Sequence, residues 1–245
     1  MLGMVTTMDA TTTGLKEIAE ALGGGIREGS LVLIEGEVGA GKSVLSQYIT
    51  YGILGARESS VAYYTSDGST ELLLANMDAM SLGVRHDFAT DRFRIYPLAP
   101  DKAMKGAQEY LQLLLNHFSS LPGRFKLLIV DSVSPLMMRL NPMAKFDFLQ
   151  LCKELCAQDR SIVLTLDTHI FEVATLSRVH AMSDYYLKLR SSDVMLASGQ
   201  VDTRNIKVLE VTKLGGAERR AQEDLKFEIK PRVGIQILPL LRVKI

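Results

Sequence analysis

The sequence predicts an α/β fold, a mostly parallel sheet flanked by helices that finishes in an antiparallel β meander. Short apolar, β-rich runs alternate with longer stretches of helical pattern. Several of those runs are apolar at successive positions, as in strands buried on both faces, where a half-exposed strand would alternate. Past Asn205 the helical stretches give way to runs separated by turn chemistry.

In chain order, the runs at 31–35, 61–65, 93–96, 126–131, 162–166 and 185–189 are read as the parallel strands. Helical pattern fills 43–54, 70–82, 102–118, 144–158 and 170–182 between them. In the third of these helices Leu111, Leu114, Leu115 and Phe118 recur at helical spacing, a stripe that belongs in a core. The meander comprises 206–212, 225–229 and 235–240, with turns at Gly215-Gly216 and 231–234. No internal repeat, low-complexity tract or linker divides the 245 residues, so one domain is expected, with 1–12 as a flexible N-terminus. A chain of this length can bury roughly three quarters of its unfolded surface.

Lys+Arg and Asp+Glu number 28 each, so no net field recommends nucleic acid or an anionic membrane as a partner. Cys152 and Cys156, at i, i+4 on one helix, are neither a CxxC redox pair nor a zinc half-site and read as buried thiols of a reducing cytoplasm. The first thirteen residues lack the pattern of a secretory signal, and apolar runs such as 127–130 and 163–166 are too short to span a bilayer. No insertion into a membrane is expected.

The chemistry concentrates in Gly36-Glu37-Val38-Gly39-Ala40-Gly41-Lys42-Ser43, which fits GxxxxGK[ST] between an apolar strand and an amphipathic helix, and with Val44 these are the expected nucleotide-binding residues. The glycines let the backbone wrap with its N–H groups inward, and the helix N-terminus adds a positive dipole end. This arrangement points to ATP. Lys42 supplies a cation for the β- and γ-phosphates, and the Ser43 hydroxyl can ligate Mg²⁺. The run Lys126-Leu127-Leu128-Ile129-Val130-Asp131 offers the second half of such a site, with Asp131 holding the Mg²⁺ through water; capping the next helix is its plain alternative.

Hydrolysis also needs a carboxylate to orient the attacking water. Ser132 follows Asp131, so no glutamate stands there, and Asp67 is the carboxylate available after the 61–65 strand. It is one methylene shorter than glutamate, and a displacement of about 1 Å can cost roughly a hundredfold in rate. N-capping the following helix is the competing role for Asp67. Thr168 or His169, after the 162–166 strand, could sense the γ-phosphate, or His169 could be an ordinary loop residue. His86, His117 and His180 are scattered and suggest no metal site.

At these residues the chain resembles a known family. Thr13-Gly14-Leu15, Leu22-Gly23-Gly24-Gly25-Ile26, Gly29-Ser30 and the phosphate loop are similar to the opening of RecA-superfamily ATPases of the KaiC type. Leu33 through Gln47, with Phe227-Glu228-Ile229-Lys230-Pro231, Gly234-Ile235 and Ile237-Leu238-Pro239, look most like the accessory ATPases of the archaeal flagellum, or archaellum (the FlaH or ArlH group). The resemblance runs from about 13 to 240. It implies a RecA-like domain that binds ATP and docks on the archaellum motor ATPase at the membrane base, with homo-oligomers that can be hexameric rings. Two departures bear on mechanism. KaiC-type enzymes place paired glutamates where this chain has Ser66 and Asp67. They also send a Lys-x-Arg pair into the neighbouring subunit's site, whereas here Lys213 is kept and Gly215 stands in place of the arginine, with Arg219 and Arg220 nearby. An arginine finger contributes about 10³-fold or more, so slow turnover is expected. A DNA-handling recombinase paralogue and a KaiC-like signalling kinase are the alternatives.

Overall fold

Six adjacent strands of the sheet lie parallel because helices return the chain after most of them. They are β1 (Leu31–Gly36), β2 (Ser60–Thr65), β3 (Phe93–Pro97), β4 (Phe125–Asp131), β5 (Ser161–Asp167) and β6 (Tyr185–Met195). β7 (Val201–Lys213), β8 (Leu225–Lys230) and β9 (Gly234–Ile237) add on antiparallel, giving the order β3-β2-β4-β5-β1-β6-β7-β8-β9. The computed structural model describes residues 14–56, 59–99, 106–195, 201–215 and 224–238. The expected flexible segment 1–12 lies outside them, as do 102–105, Gly216, Arg219, Arg220, Pro239 and Leu240.

Alternate residues of the central strands enter two separate cores. Val32, Ile34, Tyr63, Ile129 and Val163 pack with α2 (Lys42–Gly55) and α3 (Thr70–Ala79). Leu31, Leu33, Leu128, Val130 and Leu164 pack with α5 (Ala107–Ser120) and α7 (Pro142–Cys156) on the other face. Both faces are covered, which is why these strands read as unbroken apolar runs. Leu111, Leu114, Leu115 and Phe118 are buried as their spacing required. Cys152 and Cys156 are free and buried, and burial pushes both thiols up.

Short elements escaped the sequence reading. These are α1 (Leu15–Ala21), α4 (Arg85–Ala89) and α6 (Ser134–Met137), each too brief to show a helical period. The helix expected at 170–182 is a correction: it is a loop, a 3-10 turn at Val173–Thr175 and then α8 (Leu176–Met182). His169 is left-handed at φ 75, and the Lys145 ammonium donates to the Ile170 carbonyl at 2.7 Å, so the chain is held out of helical geometry there. The 70–82 helix likewise stops at Ala79, where Ser81 turns left-handed. Among the described residues no helix is long and apolar enough to cross a membrane.

Candidate functional site

The C-terminal ends of β1, β2, β4 and β5 open on one cleft of about 400 Å³. β1 delivers the chain into the loop at Gly36, where an added Cβ would stand 2.6 Å from the Leu189 carbonyl oxygen of β6, so no larger residue fits. Gly39 and Gly41 are left-handed at φ 76 and 100, which L side chains rarely adopt. The loop thereby curls back to start α2 at Lys42, with Ala40 buried beneath it and Glu37, Val38 and Gly39 exposed at its rim. Val38, Gly39, Gly41, Lys42, Ser43 and Val44 line the cleft.

Lys42 is 8% exposed and its ammonium makes three contacts. It donates to the carbonyls of Gly36 at 2.8 Å and Glu37 at 2.9 Å, and pairs with Asp167 Oδ1 at 2.8 Å. Ser43, one residue on, donates its hydroxyl to Asp131 Oδ1 at 3.1 Å. Asp131, at the end of β4, is 4% exposed. Its carboxylate also accepts from Tyr63 Oη at 2.6 Å and Thr165 Oγ1 at 2.7 Å. Burial pushes the Asp131 carboxyl up from its ordinary value, against the pull of these three hydroxyls. Burial likewise raises the Tyr63 phenol, with the Asp131 charge adding to it. A carboxylate supported in this way beside a serine hydroxyl is a donor set of hard oxygens that fits a divalent cation bridged to phosphate.

Asp67 lies exposed on the cleft after β2. Its backbone N–H donates to Thr65 Oγ1 at 3.1 Å and its carboxylate accepts from Ser66 Oγ at 3.2 Å. Ser66 Oγ also accepts from the Ser132 N–H at 2.9 Å, tying the tips of β2 and β4 together. Neither Asp67 nor Asp131 is a helix cap: Ser69 caps α3, accepting from Leu72 N–H at 3.2 Å, and the N-cap of α6 is Val133. Thr168 and His169 line a neighbouring cavity of about 170 Å³ with Glu35, Tyr186 and Lys188; Asp167 lines both spaces. Lys213 donates to the His180 carbonyl at 2.5 Å and to that of Ser183, at the C-terminal end of α8, and burial lowers its amine.

Three residues that hold Lys42 or Asp131 escaped the sequence reading. Asp167 directly precedes Thr168 and His169, and its signal was a carboxylate ending an apolar strand. Thr165 was visible as a polar residue inside an apolar run, and Val130↔Leu164 pairing carries it beside Asp131. Tyr63 carried no signal distinct from core packing. The meander also contributes Ile229, whose Cδ1 would lie 3.3 Å from a Cβ added at Gly41.

A model of the KaiC ATPase family matches residues 11–242. The archaeal flagellar ATP-binding protein FlaH of Sulfolobus acidocaldarius is 25% identical over 232 residues, covering 94% of this chain and 96% of that one. The DNA repair and recombination protein RadB of Thermococcus gammatolerans is 26% identical over 169 residues, 69% of this chain and 70% of RadB. Among solved structures, the flagellar accessory protein FlaH of Methanocaldococcus jannaschii superposes with a TM-score of 0.76 at 21% identity, covering 95% of this chain and 98% of that one. That likeness shows the fold, and with the KaiC family match it is a RecA-like domain.

Proposed function

The chain belongs to the KaiC family of ATPases, and from that premise we propose that it is an ATP-binding accessory protein of an archaellum motor. It acts as a nucleotide-dependent switch or assembly regulator with slow or absent hydrolysis. The observation that carries this reading is a contrast inside the cleft. Lys42, Ser43 and Asp131 converge on one cleft with the chemistry of phosphate and cation ligands, while the tip of β2 beside them offers Ser66 and the short, exposed Asp67.

In this reading the loop N–H groups and the α2 N-terminus bind the phosphates, Lys42 neutralises the β- and γ-phosphates, and Ser43 with Asp131 (through water) holds Mg²⁺. Mg²⁺ supplies charge neutralisation of the triphosphate. Asp67, at the tip of β2, holds water poorly, so bound ATP persists. The similarity to the Sulfolobus FlaH over nearly the whole chain supports the archaellum assignment. The partners are then the motor ATPase and other components at the membrane base, met from the cytoplasm, and further copies of this chain in a ring. For Lys213 to reach a neighbour's phosphates in such a ring it would have to leave the carbonyls of His180 and Ser183.

Capture of the motor ATPase is therefore expected to change at least about fivefold between Mg-ATP and nucleotide-free buffer, a difference of roughly 1 kcal/mol. Equal capture in both buffers would remove the switch. The RadB similarity favours a second reading, a RecA-like DNA-handling ATPase. Tight, salt-sensitive binding of single-stranded DNA would select it.

A further inference from the structure

We propose that Asp167 is a positioning residue for Lys42, a counter-ion that a terminal phosphate must displace and that thereby sets how tightly the site takes a triphosphate relative to a diphosphate. The inference rests on the cleft binding nucleotide through Lys42, and goes beyond that reading in naming what opposes the phosphate.

An ammonium has three N–H donors, and those of Lys42 go to Gly36 O, Glu37 O and Asp167 Oδ1. Two of these acceptors are neutral carbonyls of the phosphate loop itself. The third is the charged one, so a phosphate oxygen competes with Asp167. The pair is not an ordinary surface ion pair: Lys42 is 8% exposed and Asp167 36%, and partial burial limits screening by solvent and salt.

Asp167 is also held in place. Its backbone N–H donates to Ser134 Oγ at 2.7 Å, and the next N–H, of Thr168, donates to the Gly36 carbonyl at 3.2 Å. The backbone that carries the carboxylate therefore stays at the cleft when Lys42 releases it. Asp131 and Asp67 line the same space, so negative charge is already concentrated there. A diphosphate must draw the Lys42 donor away from Asp167. A triphosphate must do the same and then place its γ-phosphate near the freed carboxylate, a repulsion that Mg²⁺ relieves.

Asp167→Asn removes the charge and keeps the shape and both backbone hydrogen bonds. In EDTA buffer, titration with fluorescent ATP and ADP analogues is expected to show ATP binding tightened about tenfold and ADP about threefold, changes of roughly 1.4 and 0.7 kcal/mol. Selectivity for the triphosphate rises, and the gain shrinks when Mg²⁺ is added. Asp167→Ser, smaller and neutral, should move in the same direction, and Asp167→Glu, which keeps the charge, should stay within about twofold. A general loss of structure would weaken both nucleotides and could not raise the ATP-to-ADP ratio. Unchanged affinities in the neutral variants would overturn the proposal. So would weaker binding confined to Mg²⁺ buffer, because Asp167 would then be supporting the cation. If the wild-type protein itself binds neither nucleotide, the functional reading fails and this inference with it; a wild type that binds beside unchanged neutral variants refutes the inference alone.

Discussion

Replacing Lys42 with alanine is expected to weaken Mg-ATP binding at least about a hundredfold, close to 3 kcal/mol, while the protein remains folded. The size of the effect comes from burial. The ammonium is almost wholly enclosed between the loop carbonyls and Asp167, so its interaction with phosphate takes place away from bulk water. Among the described residues no other cation lines the cleft to replace it. The cost to stability is much smaller. The Gly36 and Glu37 carbonyls keep the backbone N–H groups of Thr168 and Ala40, at 3.2 and 3.1 Å, and Asp167, a third exposed, is hydrated when its partner is gone. A melting temperature within a few degrees of wild type, together with titration of a fluorescent ATP analogue, checks both halves. A loss of less than tenfold would mean that the loop N–H groups carry the binding, and Lys42 would lose its assigned role.

The largest expected loss of stability lies away from the cleft, where the meander meets α2. Gly234 is left-handed at φ 80, and a Cβ there would fall 1.8 Å from the Tyr48 hydroxyl and 3.1 Å from the Met80 carbonyl. Tyr48 cannot easily step aside: it is fully buried and its hydroxyl accepts from the Ile235 N–H at 2.6 Å. Gly234→Ala therefore combines backbone strain with overpacking and is expected to cost about 3 kcal/mol or more, which lowers the melting temperature by roughly 6–12 °C in a domain of this size. Because the hydroxyl is the nearest clashing atom, adding Tyr48→Phe should recover part of that loss, although Tyr48→Phe alone destabilises by leaving the Ile235 N–H unpaired. Additive losses in the double variant would show that the positive φ, and not the clash, dominates. The displacement also reaches the site, since Ile229 of β8 packs against the phosphate loop.

The central strands were legible in the sequence because burial on both faces leaves an apolar run with no alternation, and β1, β2, β4 and β5 follow those runs within a residue or two. Helices with long apolar stripes, such as α5, were legible for the same reason. Where local pattern and tertiary contact disagreed, pattern failed. The 170–182 stretch is periodic enough for a helix, yet Lys145 holds its first residues in a loop and His169 turns left-handed. The phosphate loop and Asp131 were visible because one local motif and one strand ending carry them, and the structure brings Ser43 within 3.1 Å of Asp131. Tyr63, Thr165 and Asp167 were not read as site residues because their roles depend on strand order: β4 lies between β2 and β5, and β5 pairs with β1, an arrangement that no local signal discloses.

The tip of β2 carries Asp67 where a glutamate would orient water well, and slow turnover is the expected consequence. The most direct test is steady-state ATP turnover by the wild-type protein at saturating Mg-ATP, with nucleotide affinity measured on the same sample. Tight binding with turnover well below ~1 s⁻¹ is the predicted result and fits a protein that holds ATP as a signal. Turnover of ~10 s⁻¹ or faster would contradict it, since Asp67 or another group would then be orienting water efficiently and the protein would be an active motor-class ATPase.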